Sequence, residues 1–269
     1  MKKVGLIGCG AIGRVVAELI QREGRANNVA LGGVLVRESR IAEARDALPP
    51  GTPVVSDLNL LIAAAPHGIA ECTGHEGLRA YGPDVLEQGV GLTVISIGAL
   101  ADPALEAALR RAADGSGARV TLPSGAVGGL DLLAAAKLGG LDRVVYTSRK
   151  KPGAWKGTPA EKAVDLDGLT EATVFYTGKA REAAIAYPQN ANVAAAVGLA
   201  GIGLDATEVQ LTADPAATGN EHRIVAEGKF GRAEFVIQGR TLPDNPKTSM
   251  LAALSLARAM LDVGARIVL

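Results

Sequence analysis

Gly8, Gly10 and Gly13 follow the apolar run Val4–Ile7 in the spacing G-x-G-x-x-G, and Ala11 and Ile12 complete that loop. The spacing suits the holding of a pyrophosphate. The first glycine permits a tight turn, the second lets the backbone approach the phosphates, and the third lets a helix pack closely on the strand. A helix starting there offers unpaired N–H groups and partial positive charge to an anion. The other candidate groups are three histidines, His67, His75 and His222, and a set of cations near the middle and end of the chain. The histidines have no metal-ligand spacing with each other or with cysteine. His67 precedes a strand, where a surface role is expected. His75 follows the strand end "ECTG", near any ligand of the glycine loop. In "NEHRIVAEG", period two puts His222, Ile224 and Ala226 on one face, with Glu221, Arg223 and Glu227 on the other. An inward imidazole serves either as a hydrogen-bonded core group or as a general acid/base. Spacing alone leaves both open.

These groups need elements to hold them. Lysines before an apolar N-terminal run also suit a secretion signal, but Arg14, Glu18 and the three glycines interrupt the run. Strand, glycine turn and helix is the better reading. "VALGGVLV" (29–36), "GIAECTG" (68–74), "LTVISIGAL" (92–100) and "ARVTLPSGA" (118–126) read as strands. Helical patterns lie between them, among them "IAEARDAL" and "PALEAALRRAA" from Pro103. This alternation predicts right-handed βαβ units on a parallel sheet, with ligands at the carboxyl ends of the strands. The candidate loops are 8–13, 37–40, 72–75, 96–100 and 123–129. Beyond residue 125 the pattern changes. "VVYTSRK", "TEVQLTA", "EHRIVAEG" and "AEFVIQGR" alternate with period two, as in a largely antiparallel, half-covered sheet. The expected fold is α/β: a Rossmann-type dinucleotide-binding domain over 1–124, completed by a C-terminal helix within 246–269, and an α+β substrate domain over 125–245, to which the family resemblance given below adds dimerisation.

Strand two ends in "VRESR". Arg37 stands at or beside the position where an acid often holds the ribose of NAD, and an arginine there pairs with a 2′-phosphate. Glu38 is placed to serve the ribose of NAD instead. NADP is therefore the expected cofactor, with NAD as the alternative. The chain's 269 residues have a formal net charge of zero, with no basic stripe for nucleic acid and no membrane-spanning run. Its two cysteines, Cys9 and Cys72, lie far apart and read as core filler, which suits the cytosol.

The stretches "GLIGCGAIG", "ECTGHE", "ISIGAL", "SGAVGGLD", "YPQNANVAAAVGLAGIGLD", "NEHRI" and "NPKTS" occur in this order. Together they resemble the L-aspartate dehydrogenase family nearly end to end. The resemblance implies oxidation of L-aspartate with NAD or NADP to iminosuccinate, yielding oxaloacetate and ammonia or feeding pyridine nucleotide biosynthesis, by a homodimer. It puts the active-site histidine at His222 and further cofactor contacts at Ala126 and Asn192. The pattern departs at Gln189, where lysine is common, and in "RKKP", where the proline is shifted by one place. Both departures bear on the substrate carboxylate partners, for which Arg149, Lys150, Lys247 (opening the last helix) and Asn190 are the candidates. A buried dicarboxylate needs such cations or N–H donors. Two other functions share this plan: a reductase of the dihydrodipicolinate or homoserine type, and a dinucleotide-sensing protein without catalysis.

Overall fold

The computed structural model describes residues 1–188, 192–243 and 245–268, apart from the side chains of Pro246 and Lys247. The chain divides into two compact units. Met1–Ser96, Pro103–Gly125 and Ala252–Leu269 form the first, Ile97–Asp102 and Ala126–Leu251 the second.

The first unit alternates strand and helix: β1 (Lys2–Ile7), α1 (Ala11–Glu23), β2 (Val29–Leu35), α2 (Ile41–Ala47), β3 (Val54–Val55), α3 (Leu58–Ala63), β4 (Ile69–Glu71), α4 (His75–Glu87), β5 (Leu92–Val94), α5 (Pro103–Ser116) and β6 (Val120–Thr121). Every strand pair is parallel and the order is β3-β2-β1-β4-β5-β6. The order reverses between β1 and β4, which is where such sheets bind their ligands. β1 is buried without alternation from Val4 to Ile7, as a strand covered on both faces requires.

β5 is shorter than the apolar run suggests. It ends at Val94, and residues 97–101 wind into a 3₁₀ turn. The reason is Glu71, whose carboxylate draws Ser96 out of the ladder: Ser96 donates to it through its N–H (3.2 Å) and its hydroxyl (3.1 Å).

The second unit contains α6 (Leu130–Gly139), β7 (Leu141–Lys150), α7 (Ala160–Ala163), β8 (Thr173–Lys179), α8 (Ala180–Ala186), α9 (Asn192–Ala200), β9 (Glu208–Ala213), β10 (Asn220–Gly228) and β11 (Gly231–Gly239). A short ladder of β12 (Thr241–Leu242) and β13 (Asn245–Ser249) follows. The main sheet has the order β11-β10-β7-β9-β8. Three of its pairs are antiparallel, while β7 and β9 run parallel. Helices α6, α8 and α9 pack on this sheet. Its covered face buries Val144, Tyr146, Val209, Leu211, Ile224 and Ala226, while Arg223 on the other face is exposed.

The last helix, α10 (Met250–Asp262), returns to the first unit, with Leu256, Ala257 and Met260 in one core cluster with Val4, Leu6, Val16, Ile20 and Val29. Burying a Leu or Met side chain is worth about 1.5–3 kcal/mol. The polar ends are tied too: Lys2 donates to the Val263 carbonyl (2.8 Å) and the Gly125 N–H to the Ser255 hydroxyl (3.0 Å). Among the described residues no helix is long and apolar enough to cross a membrane.

Candidate active site

The glycine loop sits between the end of β1 and the start of α1. Gly8 has φ +101°, a conformation that favours glycine, and a Cβ there would meet Thr73 at 2.7 Å. A Cβ on Gly13 would stand 2.4 Å from the Gly8 carbonyl oxygen, so only glycine lets α1 approach β1 this closely. Gly10 differs, because a Cβ there would meet nothing within 4 Å. That open space borders a cavity of about 470 Å³ lined by Gly8, Cys9, Gly10, Arg37, Arg40 and Thr73, with Cys72, Glu76 and Tyr81 completing the wall. α1 has Gly10 as its N-cap, with no side-chain cap and no acid in its first turn. Its N–H groups are left for an anion. These features fit a dinucleotide.

Arg37 is exposed at the rim, heading a 3₁₀ turn (Glu38–Arg40). Arg40 is less exposed and pairs with Glu43, while its Nε is buried without a hydrogen-bond partner. Arg40 falls in the candidate loop 37–40, although from sequence only Arg37 was assigned a phosphate contact. Its place in "VRESR", three residues after Arg37, was the available signal. Both cysteines prove to line the cavity as well as pack beside it, and burial raises both thiols above their ordinary range.

Glu71 holds the next loop. Its buried carboxylate accepts from the N–H (2.6 Å) and hydroxyl (2.9 Å) of Thr73 and from the Gly74 N–H (2.8 Å), besides both Ser96 groups. It fixes the 72–74 turn that walls the cavity. His75 begins α4 directly after this turn, and His67 is exposed.

The second unit holds a separate group of polar side chains. Alternation along β7 puts Tyr146, Ser148 and Lys150 on the covered face of the sheet, all buried. In the β10 register His222 lies directly opposite Ser148, so Tyr146 and Lys150 are its diagonal neighbours. His222 is 3% exposed, and its Nδ1 is 2.8 Å from the Tyr146 hydroxyl. Burial lowers the pKa of His222 to about 3, and the Lys150 charge adds to this. Burial lifts the Tyr146 phenol well above its usual range, with the Ser148 hydroxyl pulling weakly the other way. With the phenol protonated, donation to Nδ1 corresponds to the tautomer whose hydrogen sits on Nε2.

Lys150 is 6% exposed and its ammonium stands 5.1 Å from the centre of the Trp155 ring. Among the described residues it makes no ion pair. Burial lowers its pKa to about 8. Trp155 is itself locked, donating to the Thr212 carbonyl (3.1 Å) and packing edge-on against Phe175 and Tyr187. Tyr146 was not singled out from sequence, although the alternation in "VVYTSRK" already put it on the face of Lys150.

The remaining candidates are dispersed. Arg149 points to the opposite face of the sheet from Lys150, and is paired with Asp214 and, at 3.9 Å, with Glu221. It lines a different cavity with residues 216–221 and 238–240. The adjacency in "RK" therefore separates the two cations. Lys247 was expected to open the last helix and instead falls within β13, because the chain pairs with β12 before α10 begins. Asn190 and Gln189 lie outside the described residues. Ala126 is buried in the second unit, and Asn192 begins α9, its Oδ1 accepting from the Gly98 N–H (2.8 Å).

Comparison with known proteins agrees with this geometry. Residues 131–263 match the C-terminal model of aspartate dehydrogenase, and residues 8–123 match the NAD-binding domain of homoserine dehydrogenase. The chain is 48% identical over 263 residues to an L-aspartate dehydrogenase of Cupriavidus necator, covering 97% of each chain. It is 42% identical over 261 residues to that of Pseudomonas aeruginosa, again covering 97% of each. Among solved structures, aspartate dehydrogenase from Thermotoga maritima superimposes with a TM-score of 0.77 at 26% identity, over 100% of this chain and 99% of that one. With the glycine loop, the buried histidine and relatives matched along almost their full lengths, the chain belongs to the L-aspartate dehydrogenase family.

Proposed function

We propose that the protein oxidises L-aspartate to iminosuccinate, using NAD or NADP, with hydrolysis then giving oxaloacetate and ammonia. One observation carries this reading: His222 is buried beside a buried lysine that has no ion-pair partner among the described residues, in a chain 48% identical to an L-aspartate dehydrogenase. When held by the glycine loop, NAD(P) would supply the acceptor for the Cα hydride.

Gly8, Gly10, Ala11, Ile12 and Gly13 hold the pyrophosphate through backbone N–H groups, since no side chain competes at the head of α1. Arg37 and Arg40 serve the adenosine ribose, and their charge favours a 2′-phosphate. Asn192 and Ala126 serve the nicotinamide end, an assignment supported by family resemblance. Lys150 is the best-placed basic group for the substrate, because no acid neutralises it among the described residues. Lys247, as a further cation, and Asn190 remain candidates beside it, and Arg149 drops behind them because Asp214 already holds it. His222 touches the substrate, offering the Nε2 hydrogen that its bond to Tyr146 leaves free. Resemblance also supports a homodimer, and the free cysteines suit a cytosolic enzyme whose product feeds pyridine nucleotide synthesis.

Nicotinamide absorbance with L-aspartate as sole substrate tests the reading. We expect reduction of NAD or NADP with L-aspartate and none with homoserine. Oxidation of homoserine alone would move the protein to the reductase class. Tight dinucleotide binding with no turnover of any amino acid would make it a sensor.

A further inference from the structure

We propose that Lys150 is the catalytic base that takes a proton from the substrate ammonium, while His222 stays a neutral hydrogen-bond donor whose tautomer Tyr146 fixes. The proposal rests on the reading that aspartate is the substrate, and it divides between two residues the proton work that a lone histidine would otherwise do.

The geometry separates the roles. Lys150 and His222 are diagonal neighbours on one covered sheet face, inside the same half-sheet of β7 and β10. The lysine is held over Trp155, a ring that attracts an ammonium but takes no proton from it. The titratable groups bearing on Lys150 from β7 and β10 are Tyr146 and His222. Asp214, just past β9, is committed to Arg149 on the other face. α9 carries no charged side chain, and on α6 and α8 Asp131, Lys137 and Glu182 are exposed while Arg181 is paired with Asp205. Nothing acidic among the described residues therefore stabilises the protonated lysine, and burial brings it to about 8. It releases and accepts a proton in the range where an enzyme works.

His222 cannot do this. An imidazolium there would be desolvated and next to a cation, and its pKa lies near 3. Tyr146 occupies Nδ1, which leaves Nε2–H as a permanent donor suited to a carboxylate or a developing anion.

The proton transfer balances without any further reagent, and the oxidation that follows needs only the oxidised NAD(P) of the proposed function. The lone pair of the neutral Lys150 amine takes one proton from the substrate ammonium. One N–H bond breaks on the substrate and one forms on the lysine. The freed lone pair on the substrate nitrogen would then become the second bond of C=N as the Cα hydride, with its electron pair, passes to the oxidised nicotinamide that the first unit would hold. The new Lys150 ammonium sits beside the substrate carboxylates, which stabilise it.

Lys150→Arg and Lys150→Met separate a base from a mere cation. In the parent, kcat/KM for aspartate should fall about tenfold per pH unit below an apparent pKa near 8. Lys150→Arg keeps the charge but does not titrate, so its KM for aspartate should stay within a few-fold while kcat falls by about 10²–10⁴. Lys150→Met should lose the acid limb, and added ethylamine should restore part of the rate along the amine's own titration. Near-parental turnover in Lys150→Arg, or an unchanged acid limb in Lys150→Met, overturns the proposal. Nitrogen and carbon NMR of the cofactor-free protein gives a readout independent of turnover. The lysine signal lost in Lys150→Met should titrate near 8, and His222 should remain the Nε2–H tautomer to pH 5. A lysine titrating near 10.5 would defeat the idea even if aspartate proved not to be the substrate. A parent that does not oxidise aspartate would defeat the proposed function, and the NMR arm would still decide on Lys150.

Discussion

Tyr146 and His222 meet diagonally across the β7–β10 ladder, with their rings 16° from parallel and Oη 2.8 Å from Nδ1. Both are fully enclosed, so this hydrogen bond is the means by which the sheet sets the histidine's ring orientation and tautomer. Tyr146→Phe removes the donor and leaves a buried Nδ1 unsatisfied, at a cost of about 1–3 kcal/mol. Chemical denaturation should show that loss. Steady-state kinetics should show a fall in kcat/KM that Tyr146→Phe shares with His222→Ala, without a multiplied effect in the double variant. Fully additive losses would mean that the tyrosine does not act through His222.

The buried lysine should make the protein more stable at alkaline pH. Its pKa is about 8 in the folded protein against an ordinary 10.5, so between these values the unfolded chain holds a proton that the folded protein has released. Stability then climbs as pH rises from about 8 to 10.5, and the full penalty, about 3 kcal/mol, applies below 8. Lys150→Met removes it. The variant should unfold at higher denaturant concentration than the parent at pH 7, with the gap closing toward pH 10.5. His222 works in the same direction at lower pH: its folded value is depressed, so stability is lost as pH falls from 6.5 toward 3. In Lys150→Met that acid loss should shrink, because the neighbouring charge is gone. A pH-independent difference between parent and Lys150→Met would refute the linkage.

The first unit was legible because its signals are local. The glycine spacing, the βαβ alternation and the closing helix from Met250 each follow from a few consecutive residues. The His222 face was legible from period two alone. The cluster around it was not, since it depends on which strand lies beside β10. Only the pairing of His222 with Ser148 brings Tyr146 and Lys150 to it, from 76 and 72 positions away in the chain. The same pairing moves Arg149 to the wrong side for sharing substrate with Lys150. β8 and the parallel β7–β9 pair escaped for a related reason, because a mixed sheet has no signature within any one strand. Glu71 looked like an ordinary polar residue in "ECTG", and its role appears only when Ser96 arrives from the next strand.

Gly10 and Gly13 should respond in opposite ways to a methyl group. Gly10→Ala enters open space at φ −84°, so thermal unfolding should be nearly unchanged while calorimetry shows weakened dinucleotide binding. Gly13→Ala collides with the Gly8 carbonyl, so stability should drop by about 1–3 kcal/mol or more. Equal stability losses in both variants would remove the distinction, and unchanged binding by Gly10→Val would leave the loop a structural turn.

The two arginines at the other end of the cavity should set the preference between NADP and NAD. Arg37 is exposed at the rim and free to swing, while Arg40 is drawn to Glu43 and keeps a buried Nε unpaired. A 2′-phosphate would give that Nε an acceptor that a 2′-hydroxyl supplies only weakly, and a charge-assisted bond to Arg37 is worth about 10- to 100-fold in affinity. Arg37→Asp should therefore raise the NADP dissociation constant by about that factor and change NAD binding little. Arg40→Gln should lower NADP affinity less, because Glu43 already takes part of its charge, and Glu43→Gln should improve it by releasing the guanidinium. Isothermal titration of both dinucleotides against the three variants reads this directly. An NADP/NAD ratio that stays at the parental value in Arg37→Asp would place the arginine outside the phosphate's reach and leave Glu38, on the ribose of NAD, as the residue that sets the preference.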